Sequence, residues 1–245
     1  MGKLMGKSDC DVLSTVSGFG FSAQRPETLG ASEYTLVTIA TDVSGSVSPF
    51  KVDLEKAYRD VIGSCRKNPR AENLLVRATT FRDMLNEEHG FQGLDTIDEN
   101  KVAFSPTGGT ALFDSLLEGI EAVATYGKQL SDMDYLVNAV VFVTTDGEDN
   151  SSRVATPAKI KAALDRIKQS ETLESIKVIL IGVGDTSYVQ GYLDTLNKDA
   201  GLDQFVWVGQ ADAKSLAKLA DFVSRSISSS SQSLGSGGPS QNLTV

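Results

Sequence analysis

Residues 36–46 read LVTIATDVSGS: an apolar run of Leu36, Val37, Ile39 and Ala40 passes directly into Asp42, Val43, Ser44, Gly45 and Ser46. A run this short, closed by turn-forming residues, fits a strand buried on both faces of a sheet. The oxygen-bearing residues after it then stand just beyond the strand's C-terminal end. Similar runs recur at 74–76, 140–143, 178–181 and 205–208.

Between these runs the apolar period changes from two to nearly four. Phe50, Leu54, Ala57 and Val61 form one stripe; Leu112, Leu116, Ile120 and Val123 a second; Ile160, Ala163, Leu164 and Ile167 a third; Leu216, Leu219, Ala220 and Val223 a fourth. Each marks a helix with one buried face. Ser48-Pro49 and Thr156-Pro157 each set a capping hydroxyl before a proline suited to the first helical turn. Strands alternating with helices imply right-handed crossovers, hence a doubly wound α/β domain with a mostly parallel sheet and helices on both faces. The stretch 83–97, with Gly90 and Gly93, is harder to place and is expected to contribute at most a short edge strand.

This pattern delimits a domain over residues 33–228. Residues 1–32 mix Gly, Ser and charge without sustained periodicity and are expected to form an arm lying on the domain rather than building its core. Residues 229–245 are expected to be a flexible tail, because the Ser- and Gly-rich sequence SSSSQSLGSGGPSQ at 228–241 offers too little apolar surface to offset its ordering entropy.

The 245 residues, 40% of them hydrophobic, suffice for a substantial core. Lys and Arg total 23 against 32 Asp and Glu, a net charge of −9, which opposes binding to nucleic acid or to an anionic membrane surface. Cys10 and Cys65 are too few for a disulfide framework and lack zinc-ligand spacing, so a reducing, cytoplasmic setting is expected. No uncharged apolar run approaches the roughly 20 residues that span a bilayer. Gly2 lacks the myristoylation pattern, because Gly6 stands where that signal requires Ser or Thr.

In a parallel sheet all strand C-termini face one edge, so residues just past different strands converge. Three segments meet this condition: Asp42 to Ser46, the loop SPTGGT at 105–110 that opens a helix, and TTDGED at 144–149. Asp42, Ser44, Ser46, Thr110 and Asp146 supply carboxylate and hydroxyl oxygens with no thiol or imidazole, a set suited to a hard cation. Mg²⁺ is the first choice and Mn²⁺ the alternative with the same ligand preference. Gly45, Gly108 and Gly109 let the backbones approach the ion.

DVSGS at Asp42, PTGGTALFD at 106–114 and TTDGEDN at 144–150 together resemble the metal-ion-dependent adhesion site (MIDAS) of the von Willebrand factor A domain family. The likeness extends over about residues 33–228. It implies that Ser44, Ser46 and Thr110 are direct hydroxyl ligands and that Asp42 and Asp146 bind the metal directly or through water. It further implies a binding module without turnover, in which the metal takes an Asp or Glu side chain of a partner protein. The chain is most similar to stand-alone bacterial cytoplasmic members of tellurite-resistance type, which implies an AAA+ ATPase or a kinase or phosphatase as partner.

Two other functions fit the same residues. Oxygen-held Mg²⁺ can polarise a phosphoryl group, so a phosphohydrolase is chemically open. Against it stand the missing Asp-x-Asp nucleophile pair, the missing Walker loop and the lack of Lys or Arg inside the three motifs. Alternatively the ion only rigidifies the loops of a structural subunit. Glu148 and Asp149 read as solvated rim carboxylates, Gly182 and Gly184 as a strand end, His89 as a loop histidine, and Trp207 and Cys65 as packing residues.

Overall fold

The computed structural model describes residues 9–170, 172–209, 212–236 and 243–244. In chain order its elements are β1 (Cys10–Ser14), β2 (Gly20–Gln24), β3 (Glu33–Asp42), α1 (Lys51–Cys65), β4 (Leu74–Phe81), β5 (Leu85–Gly93) and α2 (Leu112–Ser131). There follow β6 (Leu136–Thr145), α3 (Pro157–Gln169), β7 (Ser175–Val183), α4 (Ser187–Ala200), β8 (Gln204–Val208) and α5 (Ala213–Ser236). All eight strands form one sheet in the order β1-β2-β5-β4-β3-β6-β7-β8. From β4 to β8 every pairing is parallel.

The two-residue period of β3 explains why both faces are apolar. Leu36 and Ala40 join the core beneath α2, α3 and α4, while Val37 and Ile39 join the opposite core beneath α1 and α5. This is the doubly wound arrangement expected from the sequence. Thr156 caps α3 as anticipated, its hydroxyl accepting from Lys159 N at 3.3 Å. Ser48 differs. Residues Gly45–Phe50 form a 3₁₀ turn with Pro49 inside it, and the Ser48 hydroxyl donates to the Gly45 carbonyl at 2.8 Å instead of capping α1.

Three expectations are corrected. The stretch around residue 89 is no short edge strand: β5 has nine residues, runs antiparallel to β4 and lies inside the sheet, because β2 pairs on its other side at Ala23 and Phe91. Gly90 permits that approach, since a Cβ there would stand 2.1 Å from the Ser22 carbonyl oxygen.

The segment 1–32 accordingly enters the core through its described part. Phe21 is 2% exposed and meets Phe91 edge-on at 6.0 Å. Beside them Arg77, buried, pairs with Glu118 at 2.6 Å and Glu87 at 2.7 Å, and Glu87 in turn accepts from the Ser22 hydroxyl at 2.6 Å.

The tail expectation fails where residues are described, because α5 continues as helix through Ser236. Ser224, Ser228 and Ser233 turn their hydroxyls onto carbonyls three or four residues back. Ser230 and Ser231 are buried, and the Ser230 carbonyl accepts from the Asn138 amide at 2.7 Å. Serine here is a small residue that lets a helix lie close to β6. Gly2, Gly6 and residues 237–242 lie outside the described residues. Among the described residues no helix is long and apolar enough to cross a membrane.

Phe21→Ala is expected to lower the unfolding free energy by about 3–5 kcal/mol in urea denaturation, the cost of truncating a core aromatic. A segment merely resting on the surface would lose about 0.5 kcal/mol or less.

Candidate metal site

β3 and β6 are neighbours with Thr41 opposite Thr144, so their last residues leave the sheet side by side. Thr145 Oγ1 donates to Asp42 Oδ2 at 2.6 Å across this junction. Asp42 Oδ1 accepts from the Ser44 amide at 2.7 Å, which bends the chain just after the strand. Asp42 is 1% exposed, and burial pushes its carboxyl up to about 6 against the opposing pull of the Thr145 and Ser44 hydrogen bonds.

From there a row of oxygens runs outward. Ser44 Oγ lies 3.0 Å from Ser46 Oγ, and Ser46 Oγ donates to Asp146 Oδ1 at 2.8 Å. Burial also raises the Asp146 carboxyl, with the Ser46 hydrogen bond acting against it. Four of the five residues expected from the sequence are thus joined in one hydrogen-bonded set.

Thr110, the fifth, is buried where the second loop meets the other two. The Gly45 amide donates to the Gly108 carbonyl at 3.1 Å and the Thr107 amide to the Val43 carbonyl at 2.9 Å, stitching this loop onto the first. On the other side the Thr110 amide donates to Asn150 Oδ1 at 2.7 Å, and the Thr110 carbonyl accepts from the Asn150 and Ser151 amides. Among the described residues, no hydrogen bond joins its hydroxyl to the other four. Gly108 holds a φ of +74°, and a Cβ there would stand 2.0 Å from Asp83 Oδ2.

Several supporting residues escape a reading of the motifs. Thr145 braces Asp42, and Asp83 accepts from the Gly109 amide at 2.9 Å. Asp149 is no solvated rim group: half-buried, it accepts from the Phe113 amide at 3.1 Å and so caps α2 from a distant loop. Asp114 returns the connection by accepting from the amides of Arg153, Val154 and Ala155. Thr145, Asp149 and Asp114 fall within the quoted motifs without a supporting role assigned there, whereas Asp83 lies outside all three and carries no sequence signal. His89 lies in β5 rather than a loop, with Nε2 2.6 Å from the Tyr58 hydroxyl.

The donor set fits a small hard cation. Mg²⁺ takes octahedral oxygen ligands at about 2.1 Å, which sets neighbouring ligands about 3.0 Å apart. The Ser44–Ser46 and Ser46–Asp146 spacings of 3.0 and 2.8 Å match that edge. Both Asp42 oxygens already accept protein hydrogen bonds, so Asp42 would contribute charge and the orientation of Ser44. Among the described residues no group of three or more His, Cys, Asp or Glu side chains offers a different metal cage.

No family model and no curated protein matches this sequence. Solved structures do resemble it. The proximal thread matrix protein 1 of the mussel byssus, with a zinc-occupied MIDAS motif, aligns at TM-score 0.50 and 17% identity over 82% of this chain. The D319A mutant of the PilB minor pilin from Streptococcus sanguinis aligns at 0.55 and 13% over 91%, and the pilus adhesin SpaC from Lactobacillus rhamnosus GG at 0.56 and 9% over 93%. This chain spans 47% of the byssus protein, 67% of the pilin and 36% of the adhesin. The likeness establishes the fold, a von Willebrand factor A-like α/β domain.

Thr145→Val leaves one buried oxygen of Asp42 without its donor. The expected loss is about 1–3 kcal/mol of unfolding free energy in metal-free buffer at pH 7, read by urea denaturation.

Proposed function

We propose that this chain is a metal-dependent protein-binding module, in which Mg²⁺ held by Ser44, Ser46, Thr110 and Asp146, with Asp42 behind them, captures an acidic side chain of a partner. The observation that carries this reading is the hydrogen-bonded row Ser44–Ser46–Asp146, whose oxygens stand at ligand-to-ligand distances. Mn²⁺ would serve equally. The neighbour with zinc at its MIDAS motif supports a metal at this rim, while the carboxylate and hydroxyl donors here favour a harder ion.

Electrostatics supports an acidic partner. The chain carries a net charge of −9, so a free carboxylate approaching it is repelled. A divalent ion at the rim offsets the two aspartates and turns that spot into the attractive one. Capture without turnover suits this arrangement: among the described hydrogen bonds, the one histidine of the chain is engaged with Tyr58 and the Gly90 carbonyl and supplies no proton relay to the row of oxygens.

A ligand that binds only the folded state stabilises it by mass action. Mg²⁺ at about a hundredfold over its dissociation constant is expected to add about 2.7 kcal/mol to the unfolding free energy of the unaltered protein. The double variant Ser44→Ala/Thr110→Ala should gain nothing, and chelator should reverse the effect. Equal stabilisation of both proteins refutes the assignment, and Mg²⁺-dependent hydrolysis of simple phosphate esters lost in Asp146→Ala would turn the reading toward an enzyme.

A further inference from the structure

Beside the candidate metal site lies a cavity of about 330 Å³ whose walls include Val43 and Ser105, from two of the loops that carry the oxygen donors, together with Arg82, Met84 and Glu88. Arg82 stands immediately after β4, at the rim where β3 and β6 also end. Its backbone is clamped on both sides. The Phe81 carbonyl accepts from the Val43 amide at 2.8 Å, and the Arg82 carbonyl accepts from the Ala111 amide, next to Thr110, at 2.7 Å. Asp83 then holds the Gly109 amide. Three consecutive residues are therefore fastened to the loops bearing Asp42, Ser44 and Thr110.

The side chain is treated differently from its backbone. Arg82 is half-buried, yet among the described residues its guanidinium makes no ion pair or hydrogen bond. Arg59, on α1 and outside the walls of this cavity, is likewise half-buried without such a partner among the described residues, whereas Arg70 pairs with Glu33 and Arg77 with Glu87 and Glu118. A planar guanidinium with five donors, held on a fixed backbone and lining a cavity, is prepared for a carboxylate supplied from outside. The facing carboxylate, Glu88, is partly answered by the Thr80 hydroxyl at 2.8 Å and the Asn86 amide at 2.9 Å. Its remaining charge tolerates a monoanion near Arg82 better than a phosphate dianion.

We propose that Arg82 receives a second carboxylate of the same partner segment, so that the recognised chemistry is a pair of acidic side chains; this rests on the metal-bridged capture of the first. In an extended segment, residues two apart point to the same side at about 7 Å, which sets the spacing of the two acids in the test.

Two end-blocked peptides test this against the full-length protein by NMR titration in Mg²⁺ and in chelator: one with Asp-Gly-Asp flanked by glycines, the other with the second Asp replaced by Asn. The diacidic peptide is expected to bind the unaltered protein about tenfold more tightly. Arg82→Ala should bring the two peptides to parity, leave the monoacidic affinity within about twofold and retain the full Mg²⁺ stabilisation. Glu88→Gln should tighten only the diacidic peptide. An undiminished tenfold preference in Arg82→Ala overturns the role of Arg82. Tighter binding of a peptide with phosphoserine at the second position overturns the carboxylate assignment. Mg²⁺-dependent binding with no preference in the unaltered protein overturns this inference alone, whereas no binding of either peptide in Mg²⁺ overturns it together with metal-bridged capture.

Discussion

The 2.6 Å hydrogen bond from Thr145 to Asp42 joins the ends of two central parallel strands, and the arrangement of the rim follows from it. It depends on register. With Thr41 opposite Thr144, the chain places a hydroxyl donor beside the first carboxylate and leaves the next residue, Asp146, free to face Ser46. A slip of one residue would reverse every side chain of β3, sending Leu36 and Ala40 into the wrong core and Asp42 away from its brace. The apolar packing of both faces thus fixes the position of a polar site that contributes little to that packing.

The cost of the arrangement is concentrated in Asp42. Desolvation disfavours its ionised form, and two hydrogen bonds recover only part of that loss. Such a group is better satisfied once positive charge stands nearby, so the buried carboxylate and the neighbouring hydroxyls belong to one electrostatic problem. The surrounding loops add rigidity by exchanging caps: Asp149 serves α2, and Asp114 on α2 serves the loop after Asp149. Each loop is thereby held by another loop's residues as well as by its own strand.

The strong periodic signals were legible in the sequence. The run through Ile39, the apolar strand at 140–143 and the stripe from Leu112 to Val123 all stand where their spacing places them, and the order of motifs brought Asp42, Ser44, Ser46 and Asp146 to one edge. What stayed hidden depends on distant contacts. β2 has only Phe21 and Ala23 facing inward, too short an alternation to stand out, and its burial requires β5. The serines of α5 have the composition of a linker, yet the hydroxyls of Ser224, Ser228 and Ser233 donate to carbonyls of their own helix and the small side chains suit the close approach to Asn138. Asp149 looks like any surface acid until the fold sets an unpaired helix amide before it.

The pairing of Ala23 with Phe91 also bears on how the chain matures. β2 is synthesised long before the strand that receives it, and at roughly 5–20 residues per second the wait lasts several seconds. Throughout that interval Phe21 and the unpaired backbone around it are open to other nascent chains. The first hairpin must therefore be stored safely before it can be used, which makes its short length an asset during translation.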